Sequence, residues 1–301
     1  MKPDAFVLET GAGQITSRAN PKVTAYAGLT EKKRREADRL FLAEGVKLVR
    51  DALDAGFPTH EVLISAGAVE RSAEVVSLAK EAGRRGIALT LLSDPAFEKI
   101  STEQAPQGII AVLELPEKND AQEFDHFAEG KRLFMLDEIR DPGNLGTILR
   151  SAEALGIEGV ILSGCADPWQ PKAVRAAMGT LFRLPLWITG DGAGCAERLR
   201  SAGRRVLAAA LGGDDLILGE FEPKWSDCPV VGNEGHGISQ AVLRCADACL
   251  RIPMTGGAES LNASAAAACI LWEYCRAFRT APDRTGPDGN KSAAETDKED
   301  L

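Results

Sequence analysis

Aromatic side chains are scarce. They make up 5% of the 301 residues, with two tyrosines and four tryptophans, too few for the stacking platforms on which RRM and OB modules hold bases. The longest uninterrupted apolar run, 265–272, is far short of the roughly 20 residues that span a bilayer. No basic-then-apolar leader opens the sequence, so the expectation is a cytoplasmic protein without a membrane segment. The seven cysteines are odd in number, scattered and never arranged as CxxC. Cys245 and Cys249 are the nearest pair, and no further cysteine or histidine beside them completes a ligand set. Neither a metal site nor a disulfide framework is expected, and buried free thiols fit better. A GxGxxG fingerprint is also missing. The cluster at 190–194 reads GDGAG, which is the wrong spacing and argues against a dinucleotide oxidoreductase.

What is present is ordinary globular composition, 45% hydrophobic and 26% charged, in a chain long enough for two domains. The net charge of −9 excludes a protein that coats nucleic acid indiscriminately. Its distribution is uneven, however. Between Gln14 and Arg50 stand nine Lys/Arg against four Asp/Glu, so a basic region sits on an otherwise acidic chain.

Hydrophobic patterning alternates short strands with amphipathic helices. In the first half it gives strands at 41–43, 60–65, 88–92 and 108–115, with helices over 46–55 and 69–85. A charged, weakly periodic stretch over 116–131 reads as a linker. In the second half the strands fall at 132–136, 159–162, 205–211 and 229–231, and the helices at 145–155, 172–178, 195–202 and 261–278. Strands spaced by helices predict an α/β chain with a mostly parallel sheet. The final twenty residues, 282–301, are polar and charged, so a disordered tail is expected.

Three Gly- and Asn-rich stretches in the second half each follow an apolar run, where the loops of an open α/β sheet bind ligands. The first, LDEIRDPGNLG, leads to Arg150. Its helix packs through Leu145, Ile148, Leu149, Ala152 and Leu155, leaving Arg150 on the opposite side with Gly146. There it would drape back over bare backbone toward Asn144 and the free N–H groups, an arrangement that suits a phosphate. The bland alternative is a solvated arginine with Asn144 as a plain N-cap. The second stretch, VVGNEGHGIS, has three glycines in six residues, which permit a tight turn around Glu234. His236 between two glycines reads as an exposed polar residue. In the third, RIPMTGGAESLNAS, Ser260 or Asn262 could cap a final helix whose all-round apolar character predicts burial.

The order and spacing of DPGNLGTILRSAEALG, VVGNEGHGIS and RIPMTGGAESLNASAAA resemble the three motifs of the SpoU (TrmH-like) RNA ribose methyltransferases, within the SPOUT superfamily. The segment PKAVRAAMGTLFRLP, 171–185, is similar to the region between those motifs. Ser151, Leu155 and Ala263 depart from the usual residues without removing a polar group. Residues 14–115 resemble, more loosely, the L30e-like substrate-binding domain that precedes the catalytic domain in many members. The likeness is carried by Asn20–Val23, by Lys32, Lys33, Arg34 and Arg35, and by the run FLAEG at 41–45.

This resemblance implies an L30e-like RNA-binding domain over 1–115 and a catalytic domain over 132–280 with a deep trefoil knot. It also implies a homodimer formed through the catalytic domain. The implied reaction moves a methyl from S-adenosyl-L-methionine to a ribose 2′-OH, in ribosomal RNA in preference to transfer RNA. Arg150 matches the catalytic arginine, and Asn144, Glu234, Ser260 and Asn262 the polar motif positions. Gly232, Ile252 and Leu261 match positions whose backbone surrounds the cofactor, with Met254 and Asn262 beside them. Lys22, Lys32, Lys33, Arg34 and Arg35 fall on the RNA side. Whether arginine, whose pKa lies above about 12, takes the 2′-OH proton or clamps a phosphate is open at this level. The competing readings are a tRNA methyltransferase and a non-catalytic ribosome assembly factor on the same scaffold.

Overall fold

The computed structural model describes residues 1–210, 215–257 and 260–278. The expected disordered tail lies outside them. Two sheets organise the chain. The first contains β1 (Gly13–Ile15), β2 (Leu40–Glu44), β3 (Thr59–Ser65), β4 (Ala88–Leu92) and β5 (Ile109–Glu114) in the order β1-β4-β3-β5-β2. The β1–β4 and β4–β3 pairs are parallel, whereas β5 runs antiparallel to both β3 and β2.

The second sheet has seven strands, all parallel. They are β6 (Leu133–Asp137), β7 (Gly159–Ser163), β8 (Leu186–Thr189), β9 (Arg205–Ala208), β10 (Asp215–Ile217), β11 (Asp227–Val231) and β12 (Ala248–Arg251), in the order β10-β12-β9-β11-β6-β7-β8. Every residue of β6, β7 and β11 is buried, as a parallel sheet covered on both faces requires. Strand order reverses between β6 and β11, and such a switch opens a crevice at the carboxyl ends of the strands. The first and second motif stretches leave from those two ends.

Several sequence expectations are corrected. The single helix over 69–85 is two, Ala66–Arg71 and Ala73–Arg84, broken where Ser72 turns extended and caps the second. The expected linker contains a helix, Phe124–Ala128, whose Phe124 is buried and packs edge-on against Trp187 at 5.0 Å. Also in that segment, Asn119 covers the exposed edge of β8. Its amide oxygen accepts from Ile188 N–H at 2.7 Å, and its amide nitrogen donates to the Leu186 carbonyl at 3.3 Å. The final helix, Ala263–Phe278, is not buried all round. Ala267, Ile270, Leu271 and Tyr274 face the core, but Ala265, Cys269 and Trp272 are exposed, Trp272 by 51%.

The two sheets share one apolar core. Between them Phe41 meets Trp169 at 5.0 Å and Phe57 meets Phe182 at 5.2 Å.

Candidate active site

The helix carrying the first motif begins earlier than expected, spanning Pro142–Ala154. Proline suits the first helical position, where its missing N–H costs nothing. Asp141 is the N-cap, its side chain accepting from Asn144 N–H at 2.8 Å. The Asn144 side chain is therefore released from capping. Leu145, Ile148, Leu149 and Ala152 are buried, each of the larger three contributing about 1.5–3 kcal/mol, so the register of this helix is fixed.

Gly146 has a different job from the one its position suggested. A Cβ there would lie 2.5 Å from the Ala173 carbonyl and 2.6 Å from the Ala176 methyl. The helix Pro171–Ala177 crosses at that point, so Arg150 cannot drape over it. Arg150 projects into solvent and makes no hydrogen bond or ion pair among the described residues.

Asn144 reaches instead to the other two motifs. Its amide nitrogen donates to Glu234 at 2.5 Å, and its oxygen accepts from the Asn262 amide at 3.3 Å. Asn262 in turn caps the final helix, accepting from Ser264 N–H at 2.9 Å. Three loops, the outer two 118 residues apart in sequence, thus meet through three side chains. Ser260 is exposed and forms no hydrogen bond among the described residues.

The second loop folds back on itself. Asn233 and Gly237 exchange two backbone hydrogen bonds of 2.9 Å. A Cβ on Gly232 would lie 2.4 Å from both Gly237 C and Ile238 N, so only glycine fits. Hydrogen bonds anchor the turn to the first motif. His236 Nε2 lies 2.7 Å from Glu138, and the Asn233 amide donates to the Glu138 carbonyl at 3.0 Å. Asp137, buried at the end of β6, accepts from Ser163 and from Ser239 N–H at 2.9 and 2.7 Å. Glu138 adopts φ 57°, unusual for a residue with a side chain.

Lys172 bonds Asp141 at 2.7 Å. That hydrogen bond, with the Asn144 N–H, holds the Asp141 carboxyl below its ordinary value. The contributions of Asp141, Lys172, Glu138 and His236 were not foreseen. The D-P-x-N spacing was the available signal for Asp141, since it places aspartate where a cap belongs. Nothing local marked the other three.

Ile252 packs against the main core, while Met254 and Leu261 leave large side chains 40% and 37% exposed on the loop after β12. Exposed apolar groups beside a glycine turn suit an adenosine-bearing ligand, which needs apolar contact and close backbone approach.

The five cationic residues expected on the RNA side separate into three groups. Lys32, Lys33 and Arg34 are exposed on the helix Lys32–Asp38, with Arg34 paired to Asp38. Lys22 is bound at 2.6 Å to Glu61, a buried carboxylate also held by Tyr26; the ammonium is therefore engaged within the fold. Arg35 is only 2% exposed and bonds Asp167 of the second half at 2.6 Å. Its assignment to the RNA surface is overturned, because a guanidinium buried in an ion pair is not available to a phosphate.

Residues 131–272 match the SpoU rRNA methylase family, and residues 20–111 match the MRM3-like substrate binding domain. The chain belongs to the SpoU rRNA methylase family. Among its SpoU relatives, the 23S rRNA (guanosine-2′-O)-methyltransferase RlmP of Bacillus subtilis is 33% identical over 260 residues, covering 86% of this chain and 98% of that one. A 23S rRNA (uridine-2′-O)-methyltransferase of Streptomyces viridochromogenes is 32% identical over 88% of this chain and 92% of its own. The AdoMet-bound rRNA methyltransferase of Sinorhizobium meliloti superposes with a TM-score of 0.76 at 33% identity, covering 89% of this chain and 99% of that one. The SpoU likeness thus extends over both sheets, and the mostly parallel α/β architecture is the SPOUT fold.

Proposed function

We propose that this chain transfers a methyl group from S-adenosyl-L-methionine to a ribose 2′-OH in ribosomal RNA. The observation that carries this reading is the Asn144–Glu234–Asn262 connection, which gathers the three motif loops at the carboxyl end of the parallel sheet while leaving Arg150 free. Asn144, Arg150, Glu234, Ser260 and Asn262 are all present, which favours an enzyme over a non-catalytic assembly factor. Ribosomal over transfer RNA is supported by the activities for which the relatives are named and by the substrate-binding domain match.

The bound donor supplies a sulfonium methyl already activated for attack. The chain must place the 2′-OH in line with it and manage one proton. Gly232, Ile252, Met254, Leu261 and Asn262 would hold the donor through backbone approach and apolar contact. Glu234, fixed by Asn144, places a carboxylate at the edge of the turn. Arg150 presents five N–H donors in a rigid fork, suited to gripping the adjacent phosphate and stabilising alkoxide character on the 2′ oxygen. Ser260 stands beside Asn262 as a further polar contact.

Two structural expectations belong to the same proposal. The deep trefoil knot is one. The other is a homodimer, which the exposed Ala265–Cys269–Trp272 stripe of the final helix supports. The cytoplasm is the proposed location; among the described residues no helix is long and apolar enough to cross a membrane.

The test is transfer of isotope-labelled methyl to unmodified ribosomal and transfer RNA pools, using the intact chain and Arg150→Ala. Label in ribosomal RNA at a position resistant to alkaline cleavage is expected, with transfer by Arg150→Ala reduced about 10²–10³-fold and cofactor binding retained. Label confined to transfer RNA overturns the substrate assignment. Loss of cofactor binding in Arg150→Ala moves that residue to a structural role.

A further inference from the structure

The helix Lys32–Asp38 carries opposed features. Lys32, Lys33 and Arg34 face solvent, whereas Arg35 is buried with donors to the Leu29 and Thr30 carbonyls at 2.7 and 2.8 Å and to Asp167 at 2.6 Å. Asp167 belongs to the loop between β7 and the helix Pro171–Ala177. Its other oxygen accepts from Trp169 N–H at 2.9 Å, which sets the indole against Phe41 of the first sheet. The neighbouring Ala166 N–H donates at 2.7 Å to the carbonyl of Ile139, inside the first motif loop. Past the loop, Lys172 grips the Asp141 cap, and the backbone at Ala173 abuts Gly146. Contacts therefore run from Arg35 to both sides of Asp141, the residue that frees Asn144 and begins the helix bearing Arg150.

We propose that Arg35 and Asp167 form a positioning pair that sets the register between the substrate-binding half and the methyl-transfer loops, and so determines which ribose is methylated. The inference rests on the RNA methyltransferase reading above. Its physical basis is geometric. The pair joins two rigid parts at a buried point, and a planar guanidinium gripping two carbonyls and a carboxylate tolerates little sliding. Among the described residues, the hydrogen bonds of Arg175 to Thr102 and Glu103 also cross between the halves, but they lie nearer solvent and hold no residue of the motif loop. A register error of about 1 Å is enough to slow a reaction that depends on in-line alignment, by about 10–100-fold.

The test uses the full chain with Asp167→Asn, which removes the charge and keeps an oxygen for Trp169 N–H, and Asp167→Glu, which keeps the charge but displaces it by one methylene. Cofactor affinity, melting temperature, single-turnover methyl transfer to unmodified 23S ribosomal RNA and the labelled nucleotide are read for each. Unchanged cofactor and RNA affinities are expected, with a transfer rate about 10–100-fold lower and label spreading to a neighbouring ribose. Asp167→Glu should fold even if Asp167→Asn does not, and should show the same spreading. Label at a single unchanged ribose in a folded variant overturns the proposal, as does a rate loss that merely tracks loss of melting temperature and cofactor binding. If the unsubstituted chain labels no RNA, the functional reading falls and this inference with it; normal wild-type labelling with unaltered variants removes this inference alone.

Discussion

The motif loops of the parallel sheet and the basic helix Lys32–Asp38 both stood out in the sequence, yet they behave differently. In the first, residues as distant as Asn144, Glu234 and Asn262 come together as their motifs implied. In the second, adjacent residues part company: Lys32, Lys33 and Arg34 point outward while Arg35 points in. Successive residues on a helix are rotated by about 100°, so four in a row cannot share a face. A run of like charge on a packed helix therefore reports composition, not direction. A motif spaced over three strand ends carries the direction with it, because parallel strands bring those ends to one edge of the sheet.

The sharpest way to break the contrast is at Gly232. Gly232→Ala forces a methyl against Gly237 and Ile238 backbone atoms, opening the turn that presents Glu234. Overpacking of this kind costs about 1–3 kcal/mol, and methyl transfer and cofactor affinity are both expected to collapse while the first sheet stays folded. Calorimetric cofactor binding beside a melting curve checks this; near-normal affinity would show that the loop is less committed than its geometry indicates.

A milder change sharpens the other side. Replacing Lys32 and Lys33 by alanine should weaken RNA binding and flatten its salt dependence, by about 0.7–0.9 in log–log slope for each phosphate no longer neutralised. Lys22→Met should leave that slope alone, since its ammonium is bound to Glu61. Equal slopes for all variants would remove the helix from the RNA surface.

The smallest effect belongs to Asp141. Its folded carboxyl lies below the ordinary value, first through the Lys172 hydrogen bond and then through Asn144 N–H. The stabilisation is thus complete above the unfolded value and is lost as pH falls through the lower folded one. Removing such a cap costs about 0.5–2 kcal/mol. Asp141→Ala should lower the melting temperature at pH 7 and erase part of the difference below about pH 4. A constant difference down to pH 2 would mean the carboxylate is not what starts the helix.

Much of the site was legible because its chemistry lies in short motifs with fixed order. Asn144, Glu234 and Asn262 were all marked for the site, and glycine at 232 was expected in a tight turn. The route of Arg150 was misjudged because periodicity shows which face a residue occupies but not what crosses that face. Here the helix Pro171–Ala177 lies over Gly146. The break at Ser72 and the helix at Phe124 escaped for a related reason. Neither is set by the hydrophobic period: Ser72 turns extended and caps the second helix with its own side chain, and the helix at Phe124 rests on an aromatic cluster with Trp187. Arg35 needed the other half of the chain to be in place.

Asn119 does something no pattern of hydrophobicity would suggest. An outermost strand offers a row of unused donors and acceptors, an open invitation to any extended peptide, including the same strand of another chain. The amide of Asn119 has a donor and an acceptor at the spacing of a peptide group, and it occupies Ile188 N–H and the Leu186 carbonyl as a neighbouring strand would. The segment between the two sheets is therefore also insulation. It keeps β8 from recruiting strands while the rest of the surface remains free for RNA.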